Sequence, residues 1–138
     1  MQENAVFVAE LSHLPEIMSW VREHIALSGC DDQIGKKIEV SLEEVFVNII
    51  SYAYEDHSGS IEVLVDITPS QRISFIIKDR GQPFNPTEHG TVIDVEVPIE
   101  QRSPGGLGIA FVKHFMDEIL YERDGNYNVL TIAKNYNG

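Results

Sequence analysis

The chain holds one cysteine, Cys30, in 138 residues. No internal disulfide can form, and there is no Cys cluster of the kind that binds structural zinc. No apolar run approaches the roughly 20 residues that span a bilayer as a helix. The first residues, MQENAVFVAELSH, lack a basic segment followed by an apolar stretch, so no secretory leader is expected there. A reducing cytoplasm is the expected location. The histidines His13, His24, His57, His89 and His114 are scattered without metal-ligand spacing. Positive charge is scarce too: 10 Lys and Arg stand against 22 Asp and Glu, a net charge of −12. Such a surface repels nucleic acid and anionic membranes. A small-molecule ligand, or a protein with basic patches, suits it better. If a nucleotide triphosphate binds, a metal ion is required to offset the charge.

What is present is ordinary for a globular domain: 43% hydrophobic and 23% charged residues, with no repeat or linker. One domain over 1–138 is expected. Asn4–Glu10 encloses the apolar run Ala5–Ala9, a first strand. Leu14, Ile17, Met18, Val21 and Ile25 recur at helical spacing, so Leu14–Leu27 is a helix, with Ser12 placed to cap it and Gly29 to stop it. Asp31 or Asp32 opens a second helix to about Tyr54. Strands follow at Ser60–Ile67 and Arg72–Lys78, joined by TPSQ. Residues 87–104 are ambiguous. A helix at Leu107–Met116 precedes strands Ile119–Arg123 and Asn128–Lys134. Paired strands mean hairpins. The fold class is therefore α+β: a two-layer sandwich whose mixed, mostly antiparallel sheet carries helices on one face.

Three elements carry chemistry. The second helix contains EVSLEEVFVNIISYAY. At about 100° per residue, Ile38, Leu42, Val45 and Ile49 form the core seam. Lys37, Ser41, Glu44, Asn48 and Ser51 fall on a second arc. Glu44 and Asn48 are four apart, one above the other. Glu44 by itself reads equally as a solvated face. Asn48 lies among Val47, Ile49 and Ile50, where a polar amide needs a partner. Next, Asp79-Arg80-Gly81-Gln82-Pro83-Phe84 follows the buried-looking strand ISFIIK. Asp79 there is poised to accept from a ligand amine, or else starts an Asx turn. Finally, RSPGGLGIAFVKHF places Gly105, Gly106 and Gly108 before a helix, where backbone N–H groups can approach phosphate. The same glycines could merely start the helix. No strand directly precedes them and no GxxxxGK[ST] occurs, which excludes the dinucleotide and Walker patterns.

The order and spacing of these elements resemble the nucleotide-binding boxes of the GHKL (Bergerat-fold, histidine-kinase-like) ATPases. The phrases SLEEVFVNIISYAY and GGLGIAFVKHFMDEILYERDGNYNVLTI are most similar to the bacterial anti-sigma-factor serine kinases. The resemblance implies ATP and Mg²⁺ as ligands. Asn48 would hold the metal and Glu44 would be the general base. Asp79 would accept from the adenine amine, with Gly81 letting the base lie against the backbone. Gly105, Gly106, Leu107 and Gly108 would cradle phosphates, and residues 88–104 would form a lid. Arg102 would reach the terminal phosphates or stand solvated. Two features depart from the family: Tyr52-Ala53 replaces a frequent His-Ala or His-Gly pair, and the lid is acidic at Asp94, Glu96 and Glu100. The implied function is a serine-protein kinase that phosphorylates an anti-sigma-factor antagonist and sequesters a sigma factor or similar regulator. A homodimer is one assembly it allows. The alternative is a nucleotide-gated protein-binding module of the same fold without kinase activity. Trp20 and the Phe and Tyr residues read as packing residues, and Cys30 as inert.

Overall fold

The computed structural model describes residues 1–53, 59–85 and 112–136. The elements are β1 (Gln2–Val8), α1 (Leu14–Leu27), α2 (Asp32–Asn48), β2 (Ser60–Thr68), β3 (Arg72–Asp79), β4 (Glu118–Asp124) and β5 (Tyr127–Asn135). They form an α+β architecture around a five-stranded sheet of order β1-β2-β3-β5-β4. Every pairing among these strands is antiparallel.

Period-two alternation builds the core. Ile61, Val63, Val65 and Ile67 of β2, with Ile73, Phe75 and Ile77 of β3, point to one face and are buried. Leu130 and Ile132 continue that face on β5. The helices close over it. Ile17, Met18, Val21 and Ile25 of α1, and Ile38, Leu42, Val45 and Phe46 of α2, join one hydrophobic cluster with the sheet. Each such side chain contributes about 1.5–3 kcal/mol on burial. Trp20 packs edge-on against Phe7, centroids 5.8 Å apart. His24 is buried beside it, with Nδ1 2.8 Å from the Trp20 carbonyl and Nε2 2.7 Å from Glu3 Oε2.

Element ends differ from expectation in instructive ways. The first strand begins and ends two residues earlier than read, because its register on β2 runs from Gln2 opposite Asp66 to Val8 opposite Ser60. Ser12 does not cap α1. The chain enters through a 3₁₀ turn, Leu11–His13, and Pro15 in the first helical turn removes one of the donors that a cap would satisfy. Gly29 does stop α1, at φ +78°. Asp31 caps α2, its side chain accepting from the Ile34 N–H at 2.8 Å. The second helix does not stay α-helical to Tyr54: it ends at Asn48 and widens into a π turn, Ile49–Ala53. That turn buries Ile49, Ile50 and Ala53. Of the helix expected at Leu107–Met116, residues 112–115 are described and helical. Val112 and Met116 reach the core.

Candidate functional site

The register of β3, β5 and β4 gathers one polar cluster at the sheet's end. Asp79 closes β3 and faces Asn128 on β5, which in turn faces Arg123 on β4. Asp79 is 2% exposed. Its Oδ1 accepts from the Gly81 N–H and from Asn128 Nδ2, each at 2.9 Å. Oδ2 makes no hydrogen bond among the described residues. Burial pushes the Asp79 carboxyl above the usual aspartate value, opposed by the bonds from Asn128 and Gly81 and by the Arg123 charge. The Asx-type turn is thus real, and the same carboxylate keeps one oxygen unpaired.

The loop after Asp79 is clamped to the π turn that follows α2. A Cβ on Gly81 would lie 2.5 Å from the Ala53 carbonyl oxygen and 2.7 Å from its Cβ. The protein's own backbone therefore already demands glycine here. Gln82 fixes the contact, its N–H donating to the Ala53 carbonyl at 3.1 Å and its side-chain amide to the Tyr52 carbonyl at 2.6 Å. The Tyr52 and Phe84 rings stack, centroids 5.5 Å apart. The pair at Tyr52-Ala53, where the sequence departs from the family, is this docking surface.

One to two turns back along α2, Asn48 is fully buried. Its Nδ2 donates to the Glu44 carbonyl at 2.7 Å. Its Oδ1 is buried with no hydrogen-bond partner among the described residues. Leaving a buried acceptor unpaired costs about 1–3 kcal/mol. Glu44 is half-buried, and burial, with the neighbouring Glu43 charge, raises its carboxyl above the ordinary glutamate value. Its carboxylate pairs with no described residue. On the same arc, Lys37 Nζ lies over the Phe115 ring at 5.7 Å.

The described residues contain no cluster of three His, Cys, Asp or Glu able to hold a metal. The donor that fits Mg²⁺ is Asn48 Oδ1, a hard amide oxygen that is buried and unpaired. Magnesium commonly takes only one or two protein ligands and completes its shell with phosphate oxygens and water. Arg102, Gly105, Gly106, Leu107, Gly108 and the segment read as a lid lie outside the described residues.

Sequence reading missed Asn128, Arg123 and Tyr121. Asn128 alternates with Leu130 and Ile132, so the strand period places its amide inward. A polar residue at a core position of a strand is the same signal that marked Asn48 on its helix. Arg123 and Tyr121 carry no such mark, because their role depends on the β4–β5 register.

The family model for the histidine kinase-like ATPase domain matches residues 7–134, and the chain belongs to that family. The resemblance to the GHKL ATPases is thereby borne out. Among its relatives, the serine/threonine-protein kinase BtrW of Bordetella bronchiseptica is 28% identical over 123 residues, covering 86% of this chain and 82% of BtrW. The serine-protein kinase RsbW of Bacillus subtilis is 26% identical over 144 residues, covering 96% of this chain and 86% of RsbW. The solved structure of the RsbU and RsbW domains of Rv1364c from Mycobacterium tuberculosis superposes with a TM-score of 0.67 at 17% identity. It covers 97% of this chain, which corresponds to 32% of that longer one, and it supports the fold. No helix among the described residues is long and apolar enough to cross a membrane.

Proposed function

We propose that this chain is a Mg²⁺-ATP-dependent serine-protein kinase that phosphorylates a small antagonist protein and holds a sigma factor or similar regulator by direct contact. The observation that carries the reading is Asn48: a buried amide oxygen, unpaired among the described residues, one helical turn from a carboxylate whose proton affinity burial has raised. A buried acceptor of this kind calls for a partner, and a bound ion or water is the kind that meets it. Two serine-protein kinases with overall similarity to this chain support the reaction class.

Bound Mg²⁺-ATP supplies a transferable γ-phosphoryl group and the counter-charge that lets an acidic chain hold it. The residues do the rest. Asn48 Oδ1 would hold the metal. Asp79 Oδ2 accepts from the adenine amine. Gly105, Gly106, Leu107 and Gly108, by the family resemblance, would cradle the phosphates, and Arg102 would reach the terminal ones. Glu44 takes the proton from the partner's serine hydroxyl as that oxygen bonds to phosphorus and ADP departs. Its raised proton affinity makes it a stronger base than an ordinary glutamate. Positioning and charge compensation are most of what phosphoryl transfer asks of a protein.

The test pairs two measurements. ATP affinity is taken with Mg²⁺ and in chelator, and phosphoserine formation is followed from labelled ATP with the small proteins encoded beside this chain. Mg²⁺-dependent binding with serine labelling supports the reading. Absent labelling, with partner capture still governed by ATP, replaces the kinase with a nucleotide-gated binding module.

A further inference from the structure

Asn128 is 3% exposed, and both ends of its amide are saturated. Nδ2 donates to Asp79 Oδ1 and to the Gln82 carbonyl, each at 2.9 Å. Oδ1 accepts from the Phe84 N–H at 3.2 Å, from Arg123 Nη1 at 3.2 Å and from the Tyr121 hydroxyl. The amide cannot turn over, since that would set its oxygen against two acceptors. Nor has it capacity left for a ligand. Three donors on Oδ1 polarise the amide and strengthen its N–H groups as donors. Arg123 adds a second hold, donating from Nη1 to the Gly81 carbonyl at 2.9 Å.

We infer that Asn128, braced by Arg123 and Tyr121 across the β4–β5 pair, is a positioning residue for purine selection: it fixes the Asp79 carboxylate so that Oδ2 faces the base as an acceptor only. This rests on the reading of Asp79 as the adenine contact. An ionised Oδ2 attracts the amine of adenine and repels the carbonyl that guanine places at the same ring position. A protonated Asp79 becomes a donor, and the discrimination is lost. Burial favours that protonated form, while Asn128, Gly81 and Arg123 oppose it. Arg123 is the charged side chain acting on Asp79 among the described residues. Tyr121 reaches it through Asn128.

The experiment measures ATP and GTP affinities by calorimetry between pH 5 and 8. It uses the wild type, Asn128→Leu, Arg123→Met and Asp79→Asn, each checked for folding by circular dichroism. Asn128→Leu is expected to weaken ATP binding roughly tenfold. The acid limb of its affinity profile should move to higher pH, and its ATP-to-GTP ratio should fall. Arg123→Met should move both in the same direction by less, and it carries the test if Asn128→Leu does not fold. A folded Asn128→Leu, or failing that Arg123→Met, with the wild-type acid limb and wild-type purine ratio overturns the inference. Asp79→Asn separates the two levels. If it loses ATP while those variants keep the wild-type profile, only the positioning role fails. If it binds ATP normally, the adenine reading fails beneath it.

Discussion

Asp79 and Asn128 face each other directly across β3 and β5, and Asn128 Nδ2 donates to Asp79 Oδ1 at 2.9 Å. The pair fixes one carboxylate oxygen inside the protein, and the other is unpaired among the described residues. It also makes Asp79 a site where stability and function conflict.

Asp79→Asn should separate the two. Burial raises the Asp79 carboxyl in the folded state. A raised carboxyl stabilises the fold at pH below its unfolded value, about 3.9, and that contribution is lost as pH rises through the folded value. At neutral pH the ionised group is therefore a cost. An asparagine can keep both bonds at Oδ1 without the charge. The ligand-free variant should be at least as stable as wild type at pH 7 in urea unfolding, with the difference shrinking toward pH 4. ATP affinity should fall tenfold to a hundredfold, since a donor now faces the adenine amine.

Asn48→Leu is predicted to stabilise the ligand-free chain by about 1 kcal/mol. The change removes a buried acceptor that has no partner among the described residues and introduces a better helix former of similar size. The midpoint of thermal unfolding reads this directly. In the same variant, ATP affinity should become indifferent to added Mg²⁺. A full Mg²⁺ response would place the metal elsewhere.

Glu44→Gln keeps the size of the side chain and cannot take a proton. ATP binding should stay within a few fold while phosphoserine formation drops roughly 10²–10⁴-fold. In the wild type, the acid limb of the transfer rate should lie above the pH of an ordinary glutamate, because burial and Glu43 hold the proton more tightly. Any residual transfer in the variant should lack that limb.

Gly81→Ala would drive a Cβ to 2.5 Å from the Ala53 carbonyl oxygen, a backbone atom that cannot swing aside. Overpacking of this kind costs about 1–3 kcal/mol, seen as a fall of roughly 3–10 °C in Tm. ATP binding should weaken as well, because the loop that follows Asp79 would lift from the π turn after α2. A variant with wild-type Tm would mean that the clamp is looser than its geometry.

Much was legible in the residues alone. The bounds of α1 follow from apolar spacing and a glycine beyond its end. The hairpins follow from alternation interrupted by turn residues. Asn48 and Asp79 stood out because a polar group in an apolar setting is costly, and local pattern records that cost. Periodicity is a property of neighbours along the chain, so sequence by itself determined which residues face inward on each element.

Tertiary structure decided what those inward residues meet. No local signal ends the α-helical geometry of the second helix at Asn48, where the chain widens into the π turn Ile49–Ala53. Gly81 looked like an opening for a base, yet the space its Cβ would fill belongs to Ala53, 28 positions earlier in the chain. Asn128 lies 49 residues from Asp79, and Arg123 and Tyr121 join it only through the register of β4 on β5. Hydrogen bonds between strands are set by pairing partners and register. Those depend on how the whole sheet buries its apolar face, a global quantity that no window of sequence contains.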